Sequence, residues 1–397
     1  MTFDVVSSSP GSQQNRKPYT DCMKLVFASD SFKGTLTSAR IGELLEQAAE
    51  ELLPATERVT FRMADGGEGT LDAIGSARPG QSVSLYVHDA LMRPTRCKII
   101  IEGETAFVEA ASTCGLTMLD EDERNPLKTT SHGVGECIGH ALYHGCKHIA
   151  IGLGGTCTND GGMGCLRALG IRFYDENGQE LMGSGADLAR VSRIDESGLF
   201  PQVQGVRFTI LSDVTNPLTG PLGATYVFGR QKGADDTMLG TLEAGMEHFA
   251  RIITETHPNV DFTTPGYGAA GGLGMALSVF LGAQMSSGVE TLLEWLRFDE
   301  VIADADLIVT GEGKLDTQSL QGKVVSGIAA HARRAGVPLA VICGSSDLEE
   351  SQASALGLAY LMATSSLNGT DYALRHAEEA YLDTARKLFN EVAPSPE

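Results

Sequence analysis

Basic residues are scarce in this chain: 30 Lys and Arg stand against 51 Asp and Glu in 397 residues, a formal net charge of −21. That balance opposes non-specific attraction to nucleic acid and to anionic membranes, so neither is an expected partner. An anionic ligand must instead be met by local lysines or helix N-termini. Long apolar runs are missing too. The longest, Leu273 to Met285, contains glycines and falls short of the roughly 20 residues of a membrane span, so it reads as a buried helix. No secretory apolar segment opens the sequence. The eight cysteines are scattered without a CxxC pair in a chain too large to need disulfide staples, which points to reduced thiols and a cytoplasmic protein. Tryptophan occurs once, and Trp295, set among Leu292, Leu293 and Leu296, reads as core rather than as a base-stacking platform. Neither a Walker GxxxxGK[ST] motif nor a protein-kinase loop set is present, which excludes the two common ways of holding a nucleotide.

Glycine, by contrast, is abundant, and it is concentrated after apolar runs. The stretch Gly152-Leu-Gly-Gly-Thr-Cys-Thr-Asn-Asp-Gly-Gly-Met-Gly164 follows the strand-like His148-Ile-Ala-Ile and opens a helix-like segment, the position at which backbone N–H groups hold phosphate. Upstream, residues 1–20 are rich in Ser, Gln and Pro and read as a flexible leader. Lys24 to Ser29 reads as a buried strand and Ser38 to Leu53 as a helix with apolar residues at 41, 44, 45, 48 and 52. Between Ser82 and Ala110 short alternating runs and the turn Glu102-Gly-Glu-Thr suggest antiparallel strands, and Arg172 to Leu181 reads as a hairpin about Asn177-Gly178. From Ala305 strands and helices alternate, ending in one helix from Asp371 to Val392. The fold class expected is α/β in two domains. One is a doubly wound parallel-sheet (Rossmann/flavodoxin-like) domain, discontinuous over 21–75 and 290–397; the other is a mixed α/β domain inserted at 76–289, with the active site in the cleft between them.

Other strand-like runs also end in charged, glycine-rich loops: Asp30-Ser-Phe-Lys-Gly34, Met63-Ala-Asp-Gly-Gly-Glu-Gly69, Ser212-Asp-Val-Thr-Asn-Pro-Leu218, Phe228-Gly-Arg-Gln-Lys-Gly233 and Thr310-Gly-Glu-Gly-Lys-Leu-Asp316. Gly266-Tyr-Gly-Ala-Ala-Gly-Gly-Leu-Gly274 offers a further bed of N–H donors before an apolar helix. Ligands of α/β sheets bind at the carboxyl ends of strands, so these loops are candidates for one site. Their chemistry is that of phosphoryl transfer: donors for a polyphosphate, lysines for the moving charge, carboxylates for Mg²⁺, and a base for an acceptor hydroxyl.

These blocks carry a resemblance. From Met23 to about Val392 the chain is similar to the glycerate kinase family of the bacterial type, through Asp30-Ser-Phe-Lys-Gly, Met63-Ala-Asp-Gly-Gly-Glu-Gly-Thr, Gly154-Gly-Thr-Cys-Thr-Asn-Asp-Gly-Gly, Asp213-Val-Thr-Asn-Pro-Leu, Gln231-Lys-Gly, Gly268-Ala-Ala-Gly-Gly-Leu-Gly and Thr310-Gly-Glu-Gly-Lys-Leu-Asp. The resemblance implies ATP-dependent phosphorylation of D-glycerate with Mg²⁺, usually at the 2-hydroxyl, with 3-phosphoglycerate as the alternative product. The chain departs from the family pattern at Thr156-Cys157, where Ser-Ala is usual, at Lys314, where Arg is common, and in its leader.

Lys33, Lys232 and Lys314 are candidates for the glycerate carboxylate and the ATP phosphates, with Lys33 and Lys232 placed at the reaction and Lys314 at the cofactor. Asp65, Glu68, Asp213, Glu312 and Asp316 are candidates for Mg²⁺ and for the base, with Asp213 favoured as base and Glu312 with Asp316 at the metal. Asp30, Ser31, Asp65, Asn159, Asp160 and Asn216 are assigned to substrate, and Gly154, Gly155, Thr156, Gly268, Gly271 and Gly272 to the cofactor; which glycine loop meets ATP stays open. Asp213 has a plain reading as an Asx turn. His140, His144 and His148 are spaced like metal ligands, yet Gly145 ends the helix between them, so a solvated helix end is the better reading. Cys157 lacks a basic neighbour and reads as filler. A non-catalytic sugar-acid or nucleotide binding protein would be expected to have lost a lysine or carboxylate from some loop, and none is lost. A phosphatase would need an Asp-x-Asp pair after a strand, which is missing. Monomer and homodimer both remain open.

Overall fold

The computed structural model describes residues 23–393 apart from 33, 65, 68, 78–79 and 317–322. The leader and the candidates Lys33, Asp65 and Glu68 lie outside the described residues. The chain divides into two compact units, one made of residues up to Met63 together with Arg297 onward, the other of Ala64–Leu296. The breaks fall at 63/64 and 296/297, against 75/76 and 289/290 from the sequence. Residues 64–77 belong to the second unit because buried Glu109 of that unit accepts from Gly69 N–H (3.3 Å) and Leu71 N–H (3.0 Å), where the helix Thr70–Ala77 begins.

In the first unit five strands form an all-parallel sheet: Lys24–Ser29, Glu57–Arg62, Leu307–Thr310, Leu339–Cys343 and Leu358–Ala363. Numbered 1 to 5 in chain order, they lie side by side as 2-1-3-4-5, the flavodoxin-like order. The register is set by Leu25, opposite Arg58 on one side and Leu307 on the other. Central strands buried on both faces need continuous apolar runs, and Leu25-Val-Phe-Ala28 and Leu339-Ala-Val-Ile-Cys343 supply them. The helix Ser38–Leu52 starts where Thr37 accepts from Arg40 N–H at 3.2 Å. It buries Ile41, Leu44, Leu45 and Ala48 against Tyr381, Leu388 and Phe389 of the helix Ala377–Val392, each large side chain contributing about 1.5–3 kcal/mol. The single terminal helix expected from Asp371 is in fact two, Thr370–Arg375 and Ala377–Val392, broken where His376 leaves helical geometry at φ −126°, ψ 48°.

The second unit is built on a six-stranded mixed sheet. Gln284–Ser286, Arg207–Leu211, His148–Gly152 and Thr105–Glu109 run parallel, and the antiparallel strands Pro94–Glu102 and Gln81–His88 extend it. The turn after Glu102 is the expected one. The Asn177-Gly178 turn forms, but Arg172–Tyr174 takes its ladder partner from Arg193–Asp195 and meets Glu180 only as an isolated bridge. The apolar run from Leu273 is a buried helix to Leu281, after which Gln284–Ser286 becomes the sheet's edge strand. The parallel strands end together, so the loops after Glu109, Gly152, Leu211 and Ser286 share one edge. Among the described residues no helix is long and apolar enough to cross a membrane, and the seven described cysteines are free, buried thiols.

Candidate active site

In the first unit the strand order reverses between Lys24–Ser29 and Leu307–Thr310, the switch point at which doubly wound sheets bind ligands. The loops after these strands are joined there: Asp30 N–H donates to Gly311 O at 2.9 Å, and Thr310 Oγ1 donates to Ala28 O at 2.7 Å. Half-buried Asp30 accepts from Ser31 N–H at 2.7 Å, so Asp30 and Ser31 form one turn. Glu312 is buried with Lys323 Nζ 3.7 Å from its Oε2. Lys323, the residue before the helix Val324–Ala335, went unread as a partner because Gly322-Lys323 lacks the rest of a Walker motif. Lys314 is exposed and paired with exposed Asp347 at 2.8 Å, which raises its pKa. Asp316 is half-buried and its charge also reaches Lys314.

The loops of the second unit interlock backbone to backbone. A Cβ on Gly154 would stand 2.5 Å from Gly67 Cα, and one on Gly271, at φ +65°, would stand 2.2 Å from Thr158 O. Gly161 N–H donates to Gly271 O at 2.9 Å and Gly268 N–H to Asn216 O at 3.0 Å. Gly66-Gly67 and the loops 152–164, 213–218 and 266–274 therefore form one assembly over the strand ends. Much of the glycine read as a bed for phosphate serves this packing. Gly268, Gly271 and Gly272 are buried, whereas Gly155 is exposed and Gly154 half-buried, and Thr156 is buried beside them.

Asp160 is fully buried. Its Oδ2 accepts from Ser131 N–H (2.8 Å), Ser131 Oγ (2.7 Å) and Gly164 N–H (3.2 Å), and its Oδ1 from Gly162 N–H (3.0 Å). Burial raises its pKa against the pull of these donors. The sequence assigned Asp160 to substrate; the structure makes it the internal anchor of its loop. Asn159, also buried, donates from Nδ2 to Thr225 Oγ1 at 3.2 Å. Lys232 is buried as well, with Nζ donating to Thr158 O at 2.7 Å, and burial pushes its pKa down to about 8. It holds the glycine loop at the main chain of Thr158, whereas the sequence assigned it to the reaction. Half-buried Asp213 accepts at Oδ1 from Gly288 N–H, 3.2 Å away, at the start of the helix Gly288–Trp295. Asn216 Nδ2 donates to Leu222 O at 2.8 Å. Glu109 was missed by the sequence reading; its one signal is a lone carboxylate at the end of the apolar strand Thr105–Glu109.

Trp295 is half-buried edge-on to Phe107 (centroids 4.5 Å apart), a packing role. His148 bonds Thr209 Oγ1 and Arg207 rather than His140 or His144.

One unit carries a flavodoxin-like sheet with carboxylates and lysines at its switch point, and the other a mixed sheet with glycine loops over its parallel strand ends, features that suit an α/β small-molecule kinase. The model of the glycerate kinase family matches residues 25–393, and the chain belongs to that family. It is 41% identical to glycerate 2-kinase of Escherichia coli (strain K12) over 326 residues, 81% of this chain and 85% of that protein. With glycerate kinase of Bacillus cereus (strain ATCC 10987 / NRS 248) it shares 38% identity over 369 residues, 92% of this chain and 97% of the relative. A crystal structure assigned to glycerate kinase 2 of Salmonella typhimurium LT2 superposes with a TM-score of 0.78 at 37% identity, over 94% of this chain and 98% of that one.

Proposed function

We propose that the protein transfers the γ-phosphoryl group of ATP to the 2-hydroxyl of D-glycerate, giving 2-phosphoglycerate and ADP in the cytoplasm. The observation that carries this reading is the 41% identity with a glycerate 2-kinase over 81% of the chain, in a chain whose loops carry the lysines and carboxylates that phosphoryl transfer needs. Phosphoryl transfer asks a protein mainly for positioning and for charge opposite the transferring group. In this reading Asp213 accepts the hydroxyl proton, with its carboxylate held by Gly288 N–H. Lys33 and Lys314 supply charge for the glycerate carboxylate and the ATP phosphates. The loop Gly154-Gly-Thr156 supplies N–H groups, and Lys232, Asn159 and Asp160 hold that loop in shape. Asp30, Ser31 and Asn216 bind the substrate, a role the sequence also assigns to Asp65. Glu312 and Asp316 are hard oxygen donors of the kind Mg²⁺ takes, and the ion when bound neutralises charge on the phosphate oxygens.

The test is incubation of the full chain with ATP, Mg²⁺ and D-glycerate, with the product identified by phosphorus NMR. A 2-phospho product supports the reading and a 3-phospho product overturns the regiochemistry. Absence of phosphoglycerate formation by folded protein overturns the proposal.

A further inference from the structure

His88, His132 and Glu136 each present one donor atom, and the three atoms lie within 4.8 Å of one another. His88 ends the strand Gln81–His88, while His132 and Glu136 stand one turn apart at the start of the helix His132–Tyr143, so both helix residues share a face. The strand is tied to that face by His88 N–H, which donates to Glu136 Oε2 at 2.7 Å. His88 Nδ1 lies 2.9 Å, and His132 Nε2 3.8 Å, from Glu136 Oε1. In a tetrahedral zinc site with bonds of about 2.0–2.1 Å, ligand atoms stand roughly 3.3 Å apart, between these two separations.

We propose that His88, His132 and Glu136 form a binding site for a divalent transition ion of the zinc type, with its fourth position left to water. Two imidazoles and one carboxylate suit such an ion and not Mg²⁺, which prefers oxygen ligands in octahedral array. The site is therefore separate from any ion of the kinase reaction and does not rest on the kinase reading. Ser131, the chain neighbour of His132, donates twice to Asp160, so an ion here also braces the glycine loop that Asp160 anchors.

The experiment uses the full chain without an affinity tag, stripped by chelator and titrated with Zn²⁺ against a chromophoric competing chelator, and with Co²⁺ followed by visible absorption. One equivalent is expected to bind, with the intense d–d bands of a four-coordinate ion. His88→Ala and Glu136→Gln are expected to weaken binding by roughly 100-fold or more, since loss of even an outer partner of a ligand costs about 10–100-fold. Zn²⁺ is expected to raise the Tm of the wild type and not that of His88→Ala. If His88→Ala does not fold by circular dichroism, His88→Gln takes its place. Failure of the folded wild type to bind either ion, or equal affinity in the wild type and both variants, overturns the proposal.

Discussion

The Lys232 ammonium donates to the main-chain oxygen of Thr158 at 2.7 Å, so a buried cation on one loop fixes the middle of the glycine loop. Burial lowers its pKa from 10.5 to about 8. Between these values the unfolded chain carries a proton that the folded chain does not. The contribution of this group to stability is therefore fully present above 10.5 and is lost as the pH falls through about 8. Burial pushes the thiols of Cys157 and Cys343 up to about 12, above this range, whereas thiols released by unfolding titrate within it, so the measurement is a difference. Urea unfolding of wild type and Lys232→Met at about pH 7.5 and about pH 9.5 is expected to show the wild type gaining on the variant as pH rises, with on the order of 3 kcal/mol as the limit across the whole window. A difference that does not move with pH would reject the lowered pKa.

Asp160 meets four donors, two of them on Ser131. Asp160→Ala leaves all of them buried without that acceptor, and each such group costs about 1–3 kcal/mol. The expected loss is about 3–5 kcal/mol by chemical denaturation, with some acceptors replaced by water. Turnover per folded molecule should fall as well, because the loop from Gly154 to Gly164 loses its anchor. Wild-type stability in this variant would mean that Asp160 is not the anchor.

Two glycines should answer alanine substitution with opposite signs. Gly271 sits at φ +65° with Thr158 O 2.2 Å from where a Cβ would stand, so Gly271→Ala adds both backbone strain and a clash with main chain. A loss of about 2–5 kcal/mol is expected. Gly240 lies inside the helix Asp236–Thr256 with nothing within 4 Å of its Cβ position. Gly240→Ala should gain about 0.5–1 kcal/mol. Thermal melts of the two variants distinguish packing glycines from incidental ones.

The parallel sheet of the first unit was legible because strands buried on both faces must be apolar throughout, as Leu25–Ala28 and Leu339–Cys343 are. Its neighbour order was not, since order depends on pairings across a chain interrupted by more than two hundred residues of the other unit. The break at His376 was hidden because the apolar spacing continues across it while only the backbone changes. The candidate loops were visible as composition, but their internal division of labour was not. Asp160 and Lys232 are polar residues in or beside a glycine loop, which reads as ligand contact until burial shows that their partners are Ser131 and Thr158. The cluster of His88, His132 and Glu136 escaped notice because two intervening strands separate His88 from the other two, and only the fold closes that distance.

Lys314 separates a structural from a catalytic role. Its ion pair with Asp347 is exposed at both ends, and a pair of that kind contributes about 0–1 kcal/mol. Lys314→Ala and Asp347→Ala should therefore leave the Tm almost unchanged. If Lys314 meets the phosphates of ATP, the two variants part company in kinetics. Lys314→Ala should raise the KM for ATP by about tenfold or more, since a charge-assisted hydrogen bond contributes about 1.5–3 kcal/mol. Asp347→Ala frees the lysine from its surface partner and should leave that KM the same or lower it. Steady-state kinetics at saturating glycerate decide the matter: equal KM values for ATP in Lys314→Ala and the wild type would remove Lys314 from the nucleotide and leave it as half of a surface pair.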